Sequence, residues 1–220
     1  MPTVLIIGAS RGIGHELARQ YLQDGWRVIA TARRPDACAA LEQLGAHSHQ
    51  LDVTDLDACA GLAGKLTGAE LDVAILNAGV YGPRHDGVPL QSDFDEVMHT
   101  NVLAAMHLLP LIAPLVGAAR GKLAVISSHM GSLSERGNPS GSLYRASKAA
   151  LNSVLIDTSL RFGNATCVAF HPGWVRTEMG GQGADLTPEE SASGLRATLA
   201  GLAPSDRAAY LNYDGKPMGW

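Results

Sequence analysis

The chain has 220 residues, with 17 Lys and Arg against 21 Asp and Glu, which gives a formal net charge of −4 at pH 7. Its length suits one α/β domain with a substantial core, and its hydrophobic content of 46% excludes a disordered chain. The weak negative charge and the absence of a basic run argue against nucleic acid as a partner.

The N-terminal half of the chain alternates between short apolar strands and helices. Residues 3–7 form a β-branched apolar run that is typical of a buried parallel strand. Residues 8–14 form a glycine-punctuated turn, and a helix then runs to a stop at Gly25. The remaining elements of this half are strands at residues 26–31, 47–51 and 72–76, and helices at residues 36–44 and 55–65.

The second half continues the alternation with longer helices. Its predicted elements are helices at residues 93–119 and 144–162, strands at 122–127, 166–170 and 208–211, and a helix that starts at Thr187-Pro188. We expect the first helix to be irregular near Pro110 and Pro114, because each proline lacks an amide donor. Repeated β–α units predict an α/β fold: one doubly wound (Rossmann), mostly parallel sheet of about seven strands with helices on both faces, spanning residues 1–220.

Residues 102–119 are uncharged and about long enough to span a bilayer. Their prolines do not exclude a membrane helix, since membrane helices tolerate proline. The stretch falls where the strand–helix series requires a crossover helix, and we therefore predict a covered helix in a soluble protein with no membrane partner.

The cysteines and the N-terminal residues indicate the cellular compartment of the protein. Cys38, Cys59 and Cys167 form neither a CxxC pair nor an even set, which favours a reducing environment. The apolar run near the N-terminus is short and lacks the basic flank of a secretory signal. We therefore predict a cytoplasmic protein.

The turn after the first strand contains Gly8, Gly12 and Gly14. Glycines at such a turn allow a tight bend, close approach of the backbone to a pyrophosphate, and close helix–strand packing. The following helix N-terminus offers free amides and a partial positive charge. The spacing GxxxGxG differs from the GxGxxG dinucleotide fingerprint, so an ordinary glycine-rich turn is the alternative. The strand–turn–helix context favours a dinucleotide site.

The residues after the second strand indicate the type of dinucleotide. A free ribose 2′-hydroxyl is usually held by an acidic residue about 20 residues after the glycine turn. Here the stretch reads Thr31-Ala32-Arg33-Arg34, without an acid. Arg33, together with Arg11 of the glycine turn, can pair with a 2′-phosphate, which favours NADP(H) over NAD. The alternative is that both arginines are solvated loop charges.

Tyr144 and Lys148 are four residues apart on a predicted helix and therefore lie on one face. A free phenol has a pKa of about 10. A neighbouring ammonium favours the phenolate and lowers this pKa towards the range useful for acid–base chemistry. The alternative is two polar residues on a surface helix, since YxxxK alone is common by chance.

The motifs are more specific in combination. They occur in the order Gly8-x-x-x-Gly12-x-Gly14, Asn77-Ala78-Gly79, Asn101, Ser128, Tyr144-x-x-x-Lys148 and Pro172-Gly173. This series resembles the short-chain dehydrogenase/reductase family, in its compact single-domain branch. The sequences around Tyr144 (YRASKAAL) and after His171 (HPGWVRT), with the closing YDGK at Tyr213, are similar to the C-factor and Sniffer-like carbonyl reductase subgroup.

The resemblance implies that the protein is an NADP-dependent oxidoreductase that reduces an aldehyde or ketone to an alcohol. Tyr144 would be the acid–base residue, and Lys148 would bind the nicotinamide ribose and lower the tyrosine pKa. Ser128 would bond the substrate oxygen. Asn101 would hold a water that links Lys148 to solvent. Ser127 is interpreted as structural, with a swap of the two serines left open.

The resemblance also implies a set of cofactor contacts, in which Asp52, followed by Val53, would bond the adenine amino group. The complete set is Gly8, Ser10, Arg11, Gly12, Ile13, Gly14, Arg33, Asp52, Val53, Asn77, Ala78, Gly79, Tyr144, Lys148, Pro172, Gly173, Val175 and Thr177. No metal site is predicted, because His47 and His49 lack a third ligand in view.

The implied partners are a small-molecule carbonyl substrate and further copies of the chain, as a homodimer or homotetramer. A short glycine-rich lid at residues 179–186 suggests an open substrate site. An alternative function is an NADP-binding signalling or sensor protein of C-factor type with incidental catalysis. A sugar-nucleotide epimerase shares the tyrosine–lysine pair, but such chains usually add a C-terminal substrate domain.

Overall fold

The computed structural model describes residues 1–85, 87–203 and 208–220. The strands in this part of the chain are β1 (Thr3–Ile7), β2 (Arg27–Ala32), β3 (His47–Gln50), β4 (Val73–Leu76), β5 (Lys122–Ile126), β6 (Thr166–His171) and β7 (Ala209–Asn212). They form one parallel sheet in the order β3-β2-β1-β4-β5-β6-β7. The predicted doubly wound sheet of about seven strands is therefore confirmed.

Helices connect the strands and cover both faces of the sheet. They are α1 (Gly12–Gln23), α2 (Pro35–Leu44), α3 (Leu56–Lys65), α4 (Gln91–Met98), α5 (Ala104–Ala118), α6 (Ser142–Arg161) and α7 (Pro188–Gly201). The start of α7 carries the predicted signals, since Thr187 Oγ1 accepts a hydrogen bond from Glu190 N at 3.1 Å and Pro188 is the first helical residue.

The alternating side chains of the strands divide the core into two layers. In β1, Val4 and Ile6 point to the layer covered by α1, α2 and α7, whereas Leu5 and Ile7 point to the layer covered by α3, α5 and α6. All four side chains are fully buried, which explains why the strand has no polar residue after Thr3.

The long helical stretch before β5 is irregular at a different place from the one predicted. Pro110 and Pro114 both lie inside regular α5, with Pro114 on its exposed side. The irregular segment is instead a π-helical turn, His99–Leu103, between α4 and α5. The expectation of irregularity near the prolines is therefore wrong.

The same stretch, Gln91–Ala118, is long and apolar enough to cross a membrane by length and composition. In the structure it is the predicted crossover helix, and residues such as Leu108 and Ile112 are buried in the core against the sheet. This burial accounts for its apolar composition.

The order of the strands determines where a ligand can bind. The chain runs outward from β1 through β2 to β3 and then returns to β4 on the other side of β1, so the switch point lies between β1 and β4. Ligands of open α/β sheets bind beyond the carboxyl ends of the strands at this point. Gly8, Asn77 and Ser127 follow β1, β4 and β5 at this edge.

Candidate active site

The glycine turn joins β1 to α1 and is closed by a side chain from the end of β4. Asn77 Nδ2 donates a hydrogen bond of 2.6 Å to the Gly8 carbonyl, and Gly8 N donates to Thr31 Oγ1 at 3.1 Å. Gly8 has a φ of +87°, and a Cβ at Gly14 would lie 2.2 Å from the Gly8 oxygen. Only glycine therefore allows α1 to approach the strands this closely.

The N-terminus of α1 is available to an anion. Within the described residues, no side chain caps this helix, and its first turn contains no acidic residue. Its first amides therefore keep their hydrogen-bonding capacity and their partial positive charge. Ser10 is exposed beside them, and Ile13 packs partly into the core.

The loop after β6 reaches across to the glycine turn. A Cβ at Gly12 would lie 3.1 Å from Thr177 Cγ2, and the Arg11 guanidinium forms an ion pair with Glu178. Both side chains of this pair are largely exposed, so the pair contributes little to stability. The structure thus places Thr177 beside the glycine turn and gives Arg11 an acidic neighbour that the sequence did not indicate.

Arg33 and Asp52 follow β2 and β3 at the same edge of the sheet. Burial raises the pKa of Asp52, but hydrogen bonds from Thr54 and the charge of Arg33 outweigh it and lower this pKa overall. Asp52 Oδ1 accepts from Thr54 N at 2.9 Å and from Thr54 Oγ1 at 2.7 Å. The Arg33 side chain is exposed, whereas the Val53 side chain is buried in the core.

Ser128, Tyr144 and Lys148 form one cluster at the carboxyl edge of the sheet. The Ser128 hydroxyl neighbours the Tyr144 phenol and acts to lower its pKa, and Lys148 Nζ lies 5.6 Å from the centroid of the Tyr144 ring. Lys148 Nζ donates to the Ile126 carbonyl at 2.9 Å. Burial lowers the pKa of Lys148 to about 8, so the group is mostly charged at neutral pH.

Asn101 holds the π-helical turn against the loop after β4. Its Oδ1 accepts from Val80 N at 2.8 Å, and its Nδ2 donates to the Val80 carbonyl at 2.8 Å and to Ser147 Oγ at 2.9 Å. A Cβ at Gly79 would lie 3.1 Å from Asn101 Oδ1 and 3.3 Å from Lys148 Nζ. Asn101 and Lys148 therefore converge on Gly79, and the irregular turn is one of the π-helical segments that recur at functional sites.

The two serines at the end of β5 have different partners. Ser127 Oγ donates to Asn152 Oδ1 at 2.6 Å inside the core. Ser128 Oγ accepts from Met130 N at 3.1 Å, at the start of the short helical turn His129–Gly131, and faces Tyr144. This arrangement favours Ser128 over Ser127 as the group that can reach a substrate.

The pKa of Tyr144 shifts in the direction opposite to the one expected from the sequence. Burial raises it to about 12, a hydrogen bond from Ser128 opposes this change, and the neighbouring Tyr81 and Tyr210 add to it. The Lys148 ammonium is directed to the Ile126 carbonyl and does not offset the desolvation. The expectation of a lowered pKa is therefore wrong for the protein chain alone, in which Tyr144 is a neutral phenol.

The Pro-Gly turn after β6 is fixed by two neighbouring elements. Ser191 Oγ donates to the Pro172 carbonyl at 2.6 Å, and a Cβ at Gly173 would lie 2.4 Å from Leu186 Cδ1. The buried Val175 pairs with Leu186 in a short parallel bridge. The contacts of Leu186 therefore hold the end of the predicted lid, residues 179–186, against the Pro-Gly turn.

Three side chains at the site were not singled out from the sequence. Tyr81 stacks on Tyr144, Tyr210 donates a hydrogen bond to the Ser128 carbonyl, and the buried Arg145 donates from Nε to the Ser140 carbonyl at 2.8 Å. Tyr81 could have been found from its position two residues after Gly79. No local signal indicates Tyr210, which lies 82 positions from Ser128.

These residues fit a dinucleotide. The cradle at Gly8 and Gly14 admits no side chain, the adjoining helix N-terminus is open, and Arg33 is an exposed cation at the expected distance along the chain. Among the described residues, no group of three or more His, Cys, Asp or Glu side chains is placed to hold a metal ion.

Comparison with known proteins gives relatives that match two thirds or more of the chain. A 1-hydroxy-2-glutathionyl-2-methyl-3-butene dehydrogenase of Rhodococcus sp. (strain AD45) is 30% identical over 233 residues, which cover 100% of both proteins. The C-signal of Myxococcus xanthus is 34% identical over 154 residues, which cover 68% of this chain and 93% of C-signal.

Solved structures share the fold at similar levels of identity. A short-chain dehydrogenase/reductase from Burkholderia multivorans with bound NADP has a TM-score of 0.90 and 34% identity, and the match covers 100% of this chain and 99% of that one. The carbonyl reductase Sniffer of D. melanogaster has a TM-score of 0.89 and 28% identity, with 100% of both chains covered. Residues 2–185 match the sequence pattern of the short chain dehydrogenase family. The chain therefore belongs to the short chain dehydrogenase family.

Proposed function

We propose that the protein is an NADPH-dependent carbonyl reductase that converts an aldehyde or ketone into an alcohol, as a single oxidoreductase domain. The observation that carries this proposal is the cluster of Ser128, Tyr144 and Lys148 at the carboxyl edge of the sheet, the edge that also carries the glycine turn. Two comparisons support it, since Sniffer is named a carbonyl reductase and the Burkholderia multivorans structure contains NADP.

We assign the cofactor contacts to the residues at the carboxyl edge of the sheet. The glycine turn and the first amides of α1 bind the diphosphate, and Arg33 with Arg11 binds the 2′-phosphate. Asp52 bonds the adenine amino group, and Lys148 bonds the hydroxyls of the nicotinamide ribose. The other contacts are the main chain of Val53, the Asn77-Ala78-Gly79 loop, and Pro172, Gly173, Val175 and Thr177.

When bound, NADPH supplies the hydride that the carbonyl carbon receives. Tyr144 gives its phenolic proton to the carbonyl oxygen, and Ser128 donates a hydrogen bond to that oxygen as negative charge develops. The resulting Tyr144 phenolate is stabilised by the Lys148 ammonium. Asn101 holds a water through which Lys148 and solvent return the proton to Tyr144. The raised pKa of Tyr144 suits this direction, because a neutral phenol is the proton donor.

Assembly and location are part of the same proposal. Met106 and Leu111 on α5 and Leu160 on α6 expose apolar side chains, which supports self-association of the long helices as a homodimer or homotetramer. The three cysteines are free and buried, as expected of a cytoplasmic protein. Light scattering of the purified protein tests the assembly, and a monomer would contradict it.

The activity is tested by following NADPH oxidation with a panel of aldehydes, ketones and quinones, and by identifying the alcohol product by mass spectrometry. Turnover that yields the alcohol and requires Tyr144 supports a carbonyl reductase. Tight NADPH binding without turnover across the panel contradicts it. That outcome would favour the second candidate, a cofactor-binding signalling protein, to which the 34% identity with C-signal points.

A further inference from the structure

The carbonyl oxygen of Ser128 accepts two hydrogen bonds from different parts of the fold. One is local, from Gly131 N at 2.8 Å, and closes the short helical turn that Ser128 begins. The other comes from the hydroxyl of Tyr210 on β7. Because β6 separates β5 from β7, the Tyr210 side chain crosses a strand to reach the main chain of Ser128.

The surroundings of Tyr210 leave its hydroxyl little freedom. The side chain is only 3% exposed and lies in the core layer below α5 and α6. Burial raises the pKa of Tyr210 to about 12, so the hydroxyl keeps its proton at neutral pH and remains a donor. A buried hydroxyl in this place is costly unless it is paired, and the Ser128 carbonyl is its acceptor.

The segment 217–220 supports both Tyr210 and the turn after Ser128. It returns alongside β7, with Met218 N donating to the Tyr210 carbonyl at 2.9 Å and the Trp220 ring 5.1 Å from the Tyr210 ring. The main-chain oxygen of Trp220 accepts from Leu133 N at 2.8 Å and from Ser134 N at 3.2 Å. The same four residues therefore contact the tyrosine and the residues that follow Ser128.

We propose that Tyr210 is a positioning residue for Ser128, and that the segment 217–220 fixes Tyr210 and the turn 129–134 relative to each other. This inference rests on the proposed carbonyl reduction, in which the Ser128 hydroxyl must meet the substrate oxygen beside Tyr144. Reacting groups need placement to within a fraction of an ångström, and a misplacement of about 1 Å costs on the order of a hundredfold in rate. Tyr210 acts through its hydrogen bond to the main chain of Ser128 and is therefore a positioning residue.

The first test replaces Tyr210 with phenylalanine, which keeps the ring against Trp220 and removes only the hydroxyl. We expect kcat for carbonyl reduction to fall about tenfold or more, while the Kd of NADPH changes by less than about twofold. Tyr21→Phe is the matched control, because Tyr21 is also 3% exposed but lies in the other core layer, on α1. An equal loss of kcat in both variants would overturn the proposal.

A double-mutant cycle separates positioning from general destabilisation. If Tyr210 acts through Ser128, Tyr210→Phe lowers kcat in the wild type but has no further effect in Ser128→Ala. If the two losses multiply, Tyr210 does not act through Ser128 and the proposal is wrong. Trp220→Leu allows a second cycle of the same kind. It should lower kcat less than Tyr210→Phe does in the wild type, and it should not lower kcat further in Ser128→Ala.

Hydrogen exchange keeps this proposal distinguishable from the proposed function. The Gly131 amide should exchange faster in Tyr210→Phe than in the wild type or Tyr21→Phe, whether or not any carbonyl is reduced. Faster exchange with no reductase activity in the wild type would support the positioning contact and reject the function. Unchanged exchange of Gly131 in Tyr210→Phe would overturn the positioning proposal itself.

Discussion

The ring of Tyr81 stacks on the ring of Tyr144, with the centroids 4.6 Å apart and the planes inclined by 27°. Arg84 also packs on Tyr81, with its guanidinium carbon over the ring and 5.2 Å from the centroid. Arg84 Nη2 also donates to the Met179 carbonyl at 2.6 Å, which joins the loop after β4 to the start of the lid. Tyr81 is therefore part of the wall that buries the candidate acid–base residue.

Removal of this wall should change the pKa of Tyr144. In Tyr81→Ala, water reaches the phenol, and we expect the pKa of Tyr144 to fall from about 12 towards the ordinary value of 10.0, because the phenolate is then solvated. The measurement is an ultraviolet pH titration, with Tyr144→Phe to identify the signal. Tyr81→Phe preserves the stack and should leave the pKa raised. An unchanged pKa in Tyr81→Ala would contradict this account.

The glycine turn gives a prediction about stability. In Gly14→Ala the new Cβ meets the Gly8 oxygen at 2.2 Å and Asn77 Nδ2 at 2.5 Å, and the backbone must move. We expect the free energy of unfolding in urea to fall by about 1–3 kcal/mol and NADPH binding to be lost. Gly64→Ala is the control, because Gly64 lies in α3 with open space around it. That variant should be as stable as the wild type or up to about 1 kcal/mol more stable.

The choice between the two dinucleotides should depend on Arg33. Arg33→Ala removes an exposed cation after β2, and we expect the Kd of NADPH to rise about 10- to 100-fold, with no change for NADH. Arg34→Ala is the matched control, since the Arg34 guanidinium is paired with Asp36 at 3.0 Å. Fluorescence titration of the wild type and both variants with each cofactor measures these affinities. Equal weakening of NADPH and NADH in Arg33→Ala would exclude a 2′-phosphate contact.

The buried ammonium of Lys148 predicts the pH dependence of the reaction. Its pKa is lowered from 10.5 to about 8 by burial, so the charge that stabilises the Tyr144 phenolate is lost as pH rises through about 8. Tyr144 itself stays protonated in this range. We therefore expect kcat to decline above pH 8, with one proton involved.

The same shift has a consequence for stability with a definite sign. Between pH 8 and pH 10.5 the unfolded chain binds more protons at this lysine than the folded one, so the contribution of Lys148 to the free energy of unfolding rises with pH.

The control for the pH dependence of kcat is Lys122→Met, which should retain the decline above pH 8. The residual activity of Lys148→Met should not show this decline. A decline that persists in Lys148→Met would assign it to another group.

The strands and α-helices could be predicted from the sequence because they carry local signals. The buried strand Thr3–Ile7 is a continuous apolar run, and the capping box at Thr187 and Glu190 marks the start of α7. The π-helical turn could not be predicted in the same way. It depends on the bonds from Asn101 to Val80 and Ser147, and these residues meet only in the folded chain.

The candidate site also combines features that local sequence predicts with features that depend on contacts in the folded chain. The spacing of Tyr144 and Lys148 predicts their shared face, because helical geometry is local. The direction of the Tyr144 pKa shift was predicted wrongly, because burial of the phenol in the folded chain, together with the neighbouring Tyr81 and Tyr210, has no signature in the sequence near Tyr144. The pairing of Arg11 with Glu178 and the bond from Tyr210 to Ser128 are likewise contacts between distant parts of the sequence.

The most direct test of the account compares turnover and cofactor binding in Tyr144→Phe, with the best carbonyl substrate of the panel. The variant keeps the ring beneath Tyr81 and loses only the proton donor. We expect kcat to fall at least about a hundredfold while the Kd of NADPH stays within about twofold of the wild-type value. Retained kcat would contradict the assignment of Tyr144 as the acid, and loss of NADPH binding together with kcat would show that its role is structural.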